Sequence, residues 1–209
     1  NTVLEETIDE RTERLALTYE HLQNVYMKII TTLVSVIEAK DPYTKSHSEN
    51  VARYSVAIAK VMGLSLAQIE LINKAAKLHD LGKITIHDSV LLKPDPLTDE
   101  EYEEIKLHPL RAEEILKPLD FLNVAIELIK QHHERYDGDG YPFKLKGEQI
   151  HLGARIMAVA DAFDAMTSGR SYKDRSLSKE EAAEEVKKHT GTQFDPKVVE
   201  SFLQILDSL

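Results

Sequence analysis

Apolar positions recur at helical spacing along almost the whole chain, and the polar residues between them fall where helices start and stop. In the first forty residues one heptad row, Ile8, Leu15, Leu22, Ile29 and Val36, is wholly apolar. A companion row, Leu4, Arg11, Thr18, Val25 and Thr32, is mixed. One sound row beside one polar row predicts a long helix able to form a marginal two-stranded coiled coil. Asp41-Pro42 ends it, because proline disfavours helical geometry at the residue before it.

Shorter helices follow with clear punctuation. His47 opens a helix through Val51, Tyr54, Ile58 and Val61 that Gly63 stops. Ser65 with Gln68 forms a capping box ahead of Ile69, Ile72 and Ala76, and that pattern runs out at His79-Asp80. Thr98 with Glu101 caps the next, with Tyr102, Ile105 and His108 expected on its inner side before Pro109. Phe121 to His133 reads as helix, Val124, Leu128 and Ile129 leading to the paired His132-His133. Residues 141–151 lack a helical period and predict a loop or small hairpin around Gly147. Gly153 to Thr167 returns to helix, with Asp161 and Asp164 three apart on one face. Ser178 with Glu181 caps another, ended by Gly191, and Asp195-Pro196 opens the last. With no strand pattern the expected fold is all-α, a helical bundle behind a long N-terminal helix. The expected division is a signalling or coiled-coil helix over residues 1–34 and a domain over 35–209.

Composition narrows the function. At 209 residues the chain holds one substantial core or one domain with an appendage. A formal charge of −10 argues against a partner that is polymeric nucleic acid, which needs clustered Lys and Arg. The absence of cysteine excludes disulfides, zinc ribbons and iron–sulfur clusters. No apolar run approaches the ~20 residues of a membrane helix, and the acidic start is unlike a signal peptide. A cytoplasmic protein with no membrane segment in this stretch is the expectation.

Five segments each place His or Asp at a helix end or on a helix face: His47, His79-Asp80, His108, His132-His133 and Asp161. Taken alone, His132-His133 reads equally as a helix cap meeting the negative helix end or as metal ligands beside a Gly-rich turn. The seven side chains together are the supply a two-metal centre needs, and nitrogen and oxygen without thiolate favour Fe, Mn or Zn. A carboxylate such as Asp80 has two oxygens and can bridge two ions. Ions about 3.5–4 Å apart can polarise a phosphodiester and hold a bridging hydroxide.

These residues resemble a known family. His79-Asp80-Leu81-Gly82-Lys83 is similar to the signature of the HD-domain phosphohydrolases. His132-His133-Glu134, Asp137-Gly138 and Gly140-Tyr141-Pro142 resemble the motif of the HD-GYP subgroup, and the resemblance covers roughly residues 35–205. It implies an HD-GYP catalytic domain that opens cyclic di-GMP to linear pGpG, with GMP as a further product, through a metal-bridging hydroxide. It implies two divalent ions, Fe or Mn first, with Zn, Ni or Mg as alternatives. By position, His47, His79, Asp80 and Asp161 would hold one ion, and Asp80, His108, His132 and His133 the other. Lys83 matches the lysine beside metals and phosphate, so Asp80 and Lys83 are the catalytic candidates. Gly140, Tyr141, Arg170 and Lys173 match substrate-side positions. Family members that hold a third metal carry a Glu where this chain has Tyr43, so a binuclear site is expected. The resemblance further implies a homodimer through the N-terminal helix, an upstream sensory or receiver domain, and GGDEF-domain partners. Another cyclic dinucleotide as substrate, or a module that binds without turnover, are the alternatives. Asp164 reads either as orienting a ligand or as capping backbone, and Glu134 and Asp137 as stabilising the turn. His21 and His189 are expected in solvent, and His87 and His151 outside the ligand set.

Overall fold

Several helices begin where a side chain satisfies a free N–H group of the first turn. The three expected capping boxes are all formed: Ser65 with Gln68, Thr98 with Glu101 and Ser178 with Glu181. Asp195 accepts from Lys197 N, with Pro196 at the first helical position.

The computed structural model describes residues 2–40, 46–168 and 176–206, with the backbone alone for 2–6 and 40. Its α-helices are α1 Thr2–Lys40, α2 His47–Val61, α3 Leu66–Leu78, α4 Asp88–Leu91 and α5 Asp99–Lys106. They continue with α6 His108–Leu116, α7 Asn123–Gln131, α8 Leu152–Thr167, α9 Lys179–Lys188 and α10 Pro196–Ile205. Short 3-10 turns lie at Leu81–Thr85, Asp120–Leu122 and Gly147–Gln149. The described residues contain no strand, only an isolated bridge between Thr190 and Phe194. The fold is all-α.

α2 occupies the centre and packs on α3, α8 and α10, while α6 packs on α7 and on the Leu81–Thr85 turn. Phe163 of α8 sits between Tyr54 and Phe202 in edge-to-face contacts at 5.3 and 5.0 Å. Fully buried side chains such as Phe163, Phe202, Ile58, Ile72 and Leu128 each contribute roughly 1.5–3 kcal/mol. Arg155 bonds Asp195, which ties α8 to the start of α10. This core fixes the helix ends that carry the histidines.

One expectation needs correction. Tyr102 is 48% exposed and not on an inner face, because the helix breaks at Leu107 and restarts at His108. Pro109 causes the break, since its ring displaces the turn before it and it is tolerated only as an early helical residue. Val124 is 57% exposed, as α7 starts at Asn123 and turns Ala125, Ile126, Leu128 and Ile129 inward. Of the two alternatives for 141–151 the loop is formed and not the hairpin: its backbone donates to Glu134 and turns at Gly147–Gln149. On α1, Tyr19, Tyr26 and Leu33 are exposed beside the Ile8–Val36 row, as is Val25 of the mixed row. α1 runs unbroken to Lys40, as expected for the first forty residues, and Ile30, Val34 and Ile37 are buried, the helix packing on α3 and the Leu81–Thr85 turn.

Candidate metal centre

Five elements deliver the seven candidate ligands to one buried spot. His47 begins α2, His79 and Asp80 follow α3, His108 begins α6, His132 and His133 follow α7, and Asp161 lies within α8. Three of these rings are fixed the same way. Nδ1 of His79, His108 and His132 sits 2.7, 2.7 and 2.6 Å from the carbonyl three residues earlier, on Ala76, Ile105 and Ile129. A carbonyl only accepts, so each Nδ1 carries the hydrogen and each Nε2 presents a bare lone pair to the centre. His47 opens its helix and has no helical carbonyl behind it. Its Nδ1 donates to Asp164 Oδ2 at 2.6 Å, and Asp164 is only 1% exposed. Asp164 therefore orients His47, and the backbone-capping alternative falls.

Asp80 lies between two groups of nitrogens. Its Oδ2 is 3.8 Å from His47 Nε2 and 3.6 Å from His79 Nε2, while Oδ1 is 3.5 Å from His108 Nε2. His108 Nε2 and His132 Nε2 stand 3.4 Å apart, two lone pairs with no hydrogen between them. His79 Nε2 is buried without a hydrogen-bond partner, and His47 Nε2 meets Asp161 Oδ1 only as a 3.2 Å contact. Three overlapping trios, His47-His79-Asp80, His79-His132-Asp161 and His108-His132-His133, each gather ligand atoms within 4.8 Å. Imidazole lone pairs that converge beside two carboxylates, with Nε2 of His47 and His79 buried and unpartnered, fit divalent cations of the nitrogen- and oxygen-binding type.

The electrostatics show the same need. Burial would raise the Asp80 pKa, but Lys83, with Nζ 2.6 Å from Oδ2, and then His79, His108 and His47 hold it well below the usual range. Asp161 is lowered likewise, burial being outweighed by His47. Burial depresses His108 to about 4 and, aided by His108, His133 to about 3. His132 is also held well below 6.5, chiefly by burial. His47 goes the other way: burial lowers it, but Asp161 and Asp164, with Asp80 beyond, raise it to about 10.

A pH dependence follows for the metal-free protein. The three depressed histidines are neutral when folded and take up protons when unfolded, so stability falls as pH drops from about 6.5 toward 3. The depressed carboxylates add a loss in the same direction below about 4. His47 acts oppositely: its contribution is full below about 6.5 and is lost as pH rises from there through about 10. Denaturant titrations of chelator-treated protein should therefore show a midpoint that declines steadily between pH 6.5 and 4. A flat midpoint across that range would contradict the neutral assignment.

The Gly-Tyr-Pro turn closes one side. Glu134, 3% exposed, accepts from Phe143 N at 2.6 Å and Leu145 N at 3.0 Å, so it holds the turn from within. Arg135 donates to Asp137, which also accepts from Asp139 N. A Cβ on Gly140 would lie 2.3 Å from Arg135 N, so glycine here is required by chain packing on chain. The Tyr141 ring stacks on His133 with centroids 4.8 Å apart. His21 and His87 are exposed, His151 caps α8 through Gly153 N, and His189 bonds Glu185, so none joins the centre. Arg170, Lys173 and Tyr43 lie outside the described residues.

Comparison with known proteins agrees with this geometry. The HD domain family model matches residues 31–198. A cyclic di-GMP phosphodiesterase of Vibrio cholerae is 41% identical over 191 residues, covering 84% of this chain and 39% of that protein. A 3'3'-cGAMP-specific phosphodiesterase of the same organism is 36% identical over 201 residues, covering 92% of this chain and 38% of its own length. Among solved structures, a V. cholerae cyclic GMP-AMP specific phosphodiesterase shares the fold with a TM-score of 0.66 at 20% identity, over 87% of this chain and 48% of that one. The chain thus spans less than half the length of these proteins. With the family model over most of its length and both motifs at the centre, the chain belongs to the HD-domain family, in its HD-GYP branch.

Proposed function

We propose that this chain is a metal-dependent phosphodiesterase that opens cyclic di-GMP to linear pGpG, with GMP as a further product. The observation that carries the reading is Asp80, whose two carboxylate oxygens face separate histidine groups across a buried centre. His47, His79, Asp80 and Asp161 would hold one divalent ion and Asp80, His108, His132 and His133 a second, with Fe or Mn suited to this donor set. Such ions supply Lewis-acid polarisation of a phosphodiester and a lowered pKa for attacking water. The chain's own residues do the rest. Lys83, partly exposed beside Asp80, keeps that carboxylate ionised and offers its ammonium to a phosphate oxygen. Tyr141, stacked on His133, presents an aromatic wall for a guanine, and Gly140 sets the turn that carries it. Arg170 and Lys173 belong to this reading as phosphate contacts by their place in the motif.

Residues 1–34 act in this reading as a signalling helix and 35–209 as the catalytic domain. The chain works in the cytoplasm as a homodimer through α1, downstream of a sensory or receiver domain and alongside GGDEF-domain partners. No described helix is long and apolar enough to cross a membrane. The 3'3'-cGAMP-specific relative supports a second reading, hydrolysis of a mixed cyclic dinucleotide, because phosphate contacts do not read bases.

Elemental analysis of loaded protein should give two metal equivalents, and kcat/KM for cyclic di-GMP should exceed that for 3'3'-cGAMP by at least about tenfold. Three equivalents would overturn the binuclear site. A reversed ratio would establish the second reading.

A further inference from the structure

α5 adds little to the core, since none of its side chains is buried. Tyr102 and Lys106 lie one turn apart on it, on a face that meets the Gly-Tyr-Pro turn. The Lys106 ammonium stands 4.6 Å from the centre of the Tyr102 ring and 5.8 Å from that of Tyr141. Glu103 Oε1 accepts from the same ammonium at 2.6 Å. Ion pairs at this helical spacing are ordinarily solvated. Lys187 and Lys188 each meet a glutamate three residues back, and their side chains are 60 and 68% exposed. Lys106 is only 27% exposed, drawn in against the two rings, while Glu103 stays at 68%. Neither Lys106 nor Glu103 is among the gathered metal ligands.

A guanine stacked on Tyr141 would bring one edge beside this ion pair. The Watson–Crick edge of guanine carries an acceptor, O6, next to two donors, N1–H and the N2 amine. An ammonium and a carboxylate side by side complement that edge. Lys106 can donate to O6 while Glu103 accepts from N1–H and N2–H. Adenine reverses the pattern, with an amine at position 6, a bare lone pair at N1 and no N2 amine. It would set amine against ammonium and lone pair against carboxylate. Phosphate contacts do not separate these bases, but a paired donor and acceptor does.

We propose that Lys106 and Glu103 select guanine over adenine at the base stacked on Tyr141, with Tyr102 holding the Lys106 ammonium in place. The proposal rests on the cyclic dinucleotide reading above and supplies a source for its base selectivity. Both are specificity-determining residues and act on the base, away from the reacting phosphate. The exposed pair is weak in water, so it can open to admit the base.

The test is calorimetric titration of the metal-loaded chain with cyclic di-GMP and with cyclic di-AMP, turnover being followed on the same preparations. The parent should bind cyclic di-GMP at least about tenfold more tightly than cyclic di-AMP. Lys106→Met keeps an apolar stem beside Tyr102 and removes the donor. It should weaken cyclic di-GMP binding at least about tenfold and change cyclic di-AMP binding by less than about twofold. Glu103→Gln, whose amide can donate to adenine N1, should strengthen cyclic di-AMP binding and narrow the ratio from the other side. Both variants should keep the parent's metal content and helical circular dichroism. Equal weakening of the two ligands by Lys106→Met would make it a phosphate contact and overturn base selection. Unchanged affinities in both variants, or a parent that binds the two ligands alike, would overturn it as well. Selective binding without any pGpG would uphold base selection and defeat hydrolysis, so the two failures are told apart.

Discussion

Gly82→Ala should lower the stability of the protein by about 3–5 kcal/mol and its melting temperature by roughly 10 °C or more. A Cβ at this position would stand 1.9 Å from the carbonyl oxygen of His108 and 2.8 Å from Ala112 N. Both are backbone atoms of α6 and cannot swing aside as a flexible side chain would. The Leu81–Thr85 turn and α6 must then separate. That separation pulls on Asp80, just before the turn, and on His108, at the start of α6, which now stand 3.5 Å apart. Thermal unfolding followed by circular dichroism checks the loss, and metal content should fall with it. A variant that melts within about 2 °C of the parent would show that the contact is not as close as described.

Asp80→Ala should have the opposite signature, with the fold kept and the chemistry gone. Lys83 is about one-fifth exposed and can turn to solvent once its partner is removed, so stability should change by less than about 2 kcal/mol. Metal binding should collapse at both positions, because this one carboxylate faces both histidine groups. Hydrolysis should drop at least about 1,000-fold, since the carboxylate whose two oxygens face the separate histidine groups is gone. Measuring metal equivalents and turnover on the same sample separates this from unfolding. An active, metal-free Asp80→Ala protein would defeat the mechanism.

Helix starts and stops were legible in the sequence because they depend on neighbours a few residues away. Ser65, Thr98, Ser178 and Asp195 each cap the helix expected of them. The candidate ligands were picked out by motif and resemblance, and the structure gathers His47, His79, Asp80, His108, His132, His133 and Asp161 into three overlapping trios. Tertiary choices were less visible. Helical spacing puts Asp161 and Asp164 on one face of α8, but not that Asp164 turns away from the centre to hold His47. Nothing local marks Gly82 as the point where a turn meets the backbone of α6, because its partners are some twenty-six residues away at His108 and beyond. The apolar row of α1 has neighbours on both sides, and only burial shows that Tyr19, Tyr26 and Leu33 share its exposed face.

The most direct measurement is turnover of cyclic di-GMP by the unmodified chain after anaerobic reconstitution with Fe(II) or Mn(II). The loaded protein should convert cyclic di-GMP to linear pGpG over many cycles, and the chelator-treated protein should not. Binding of cyclic di-GMP without any pGpG, by protein holding two metal equivalents, would contradict the proposed function.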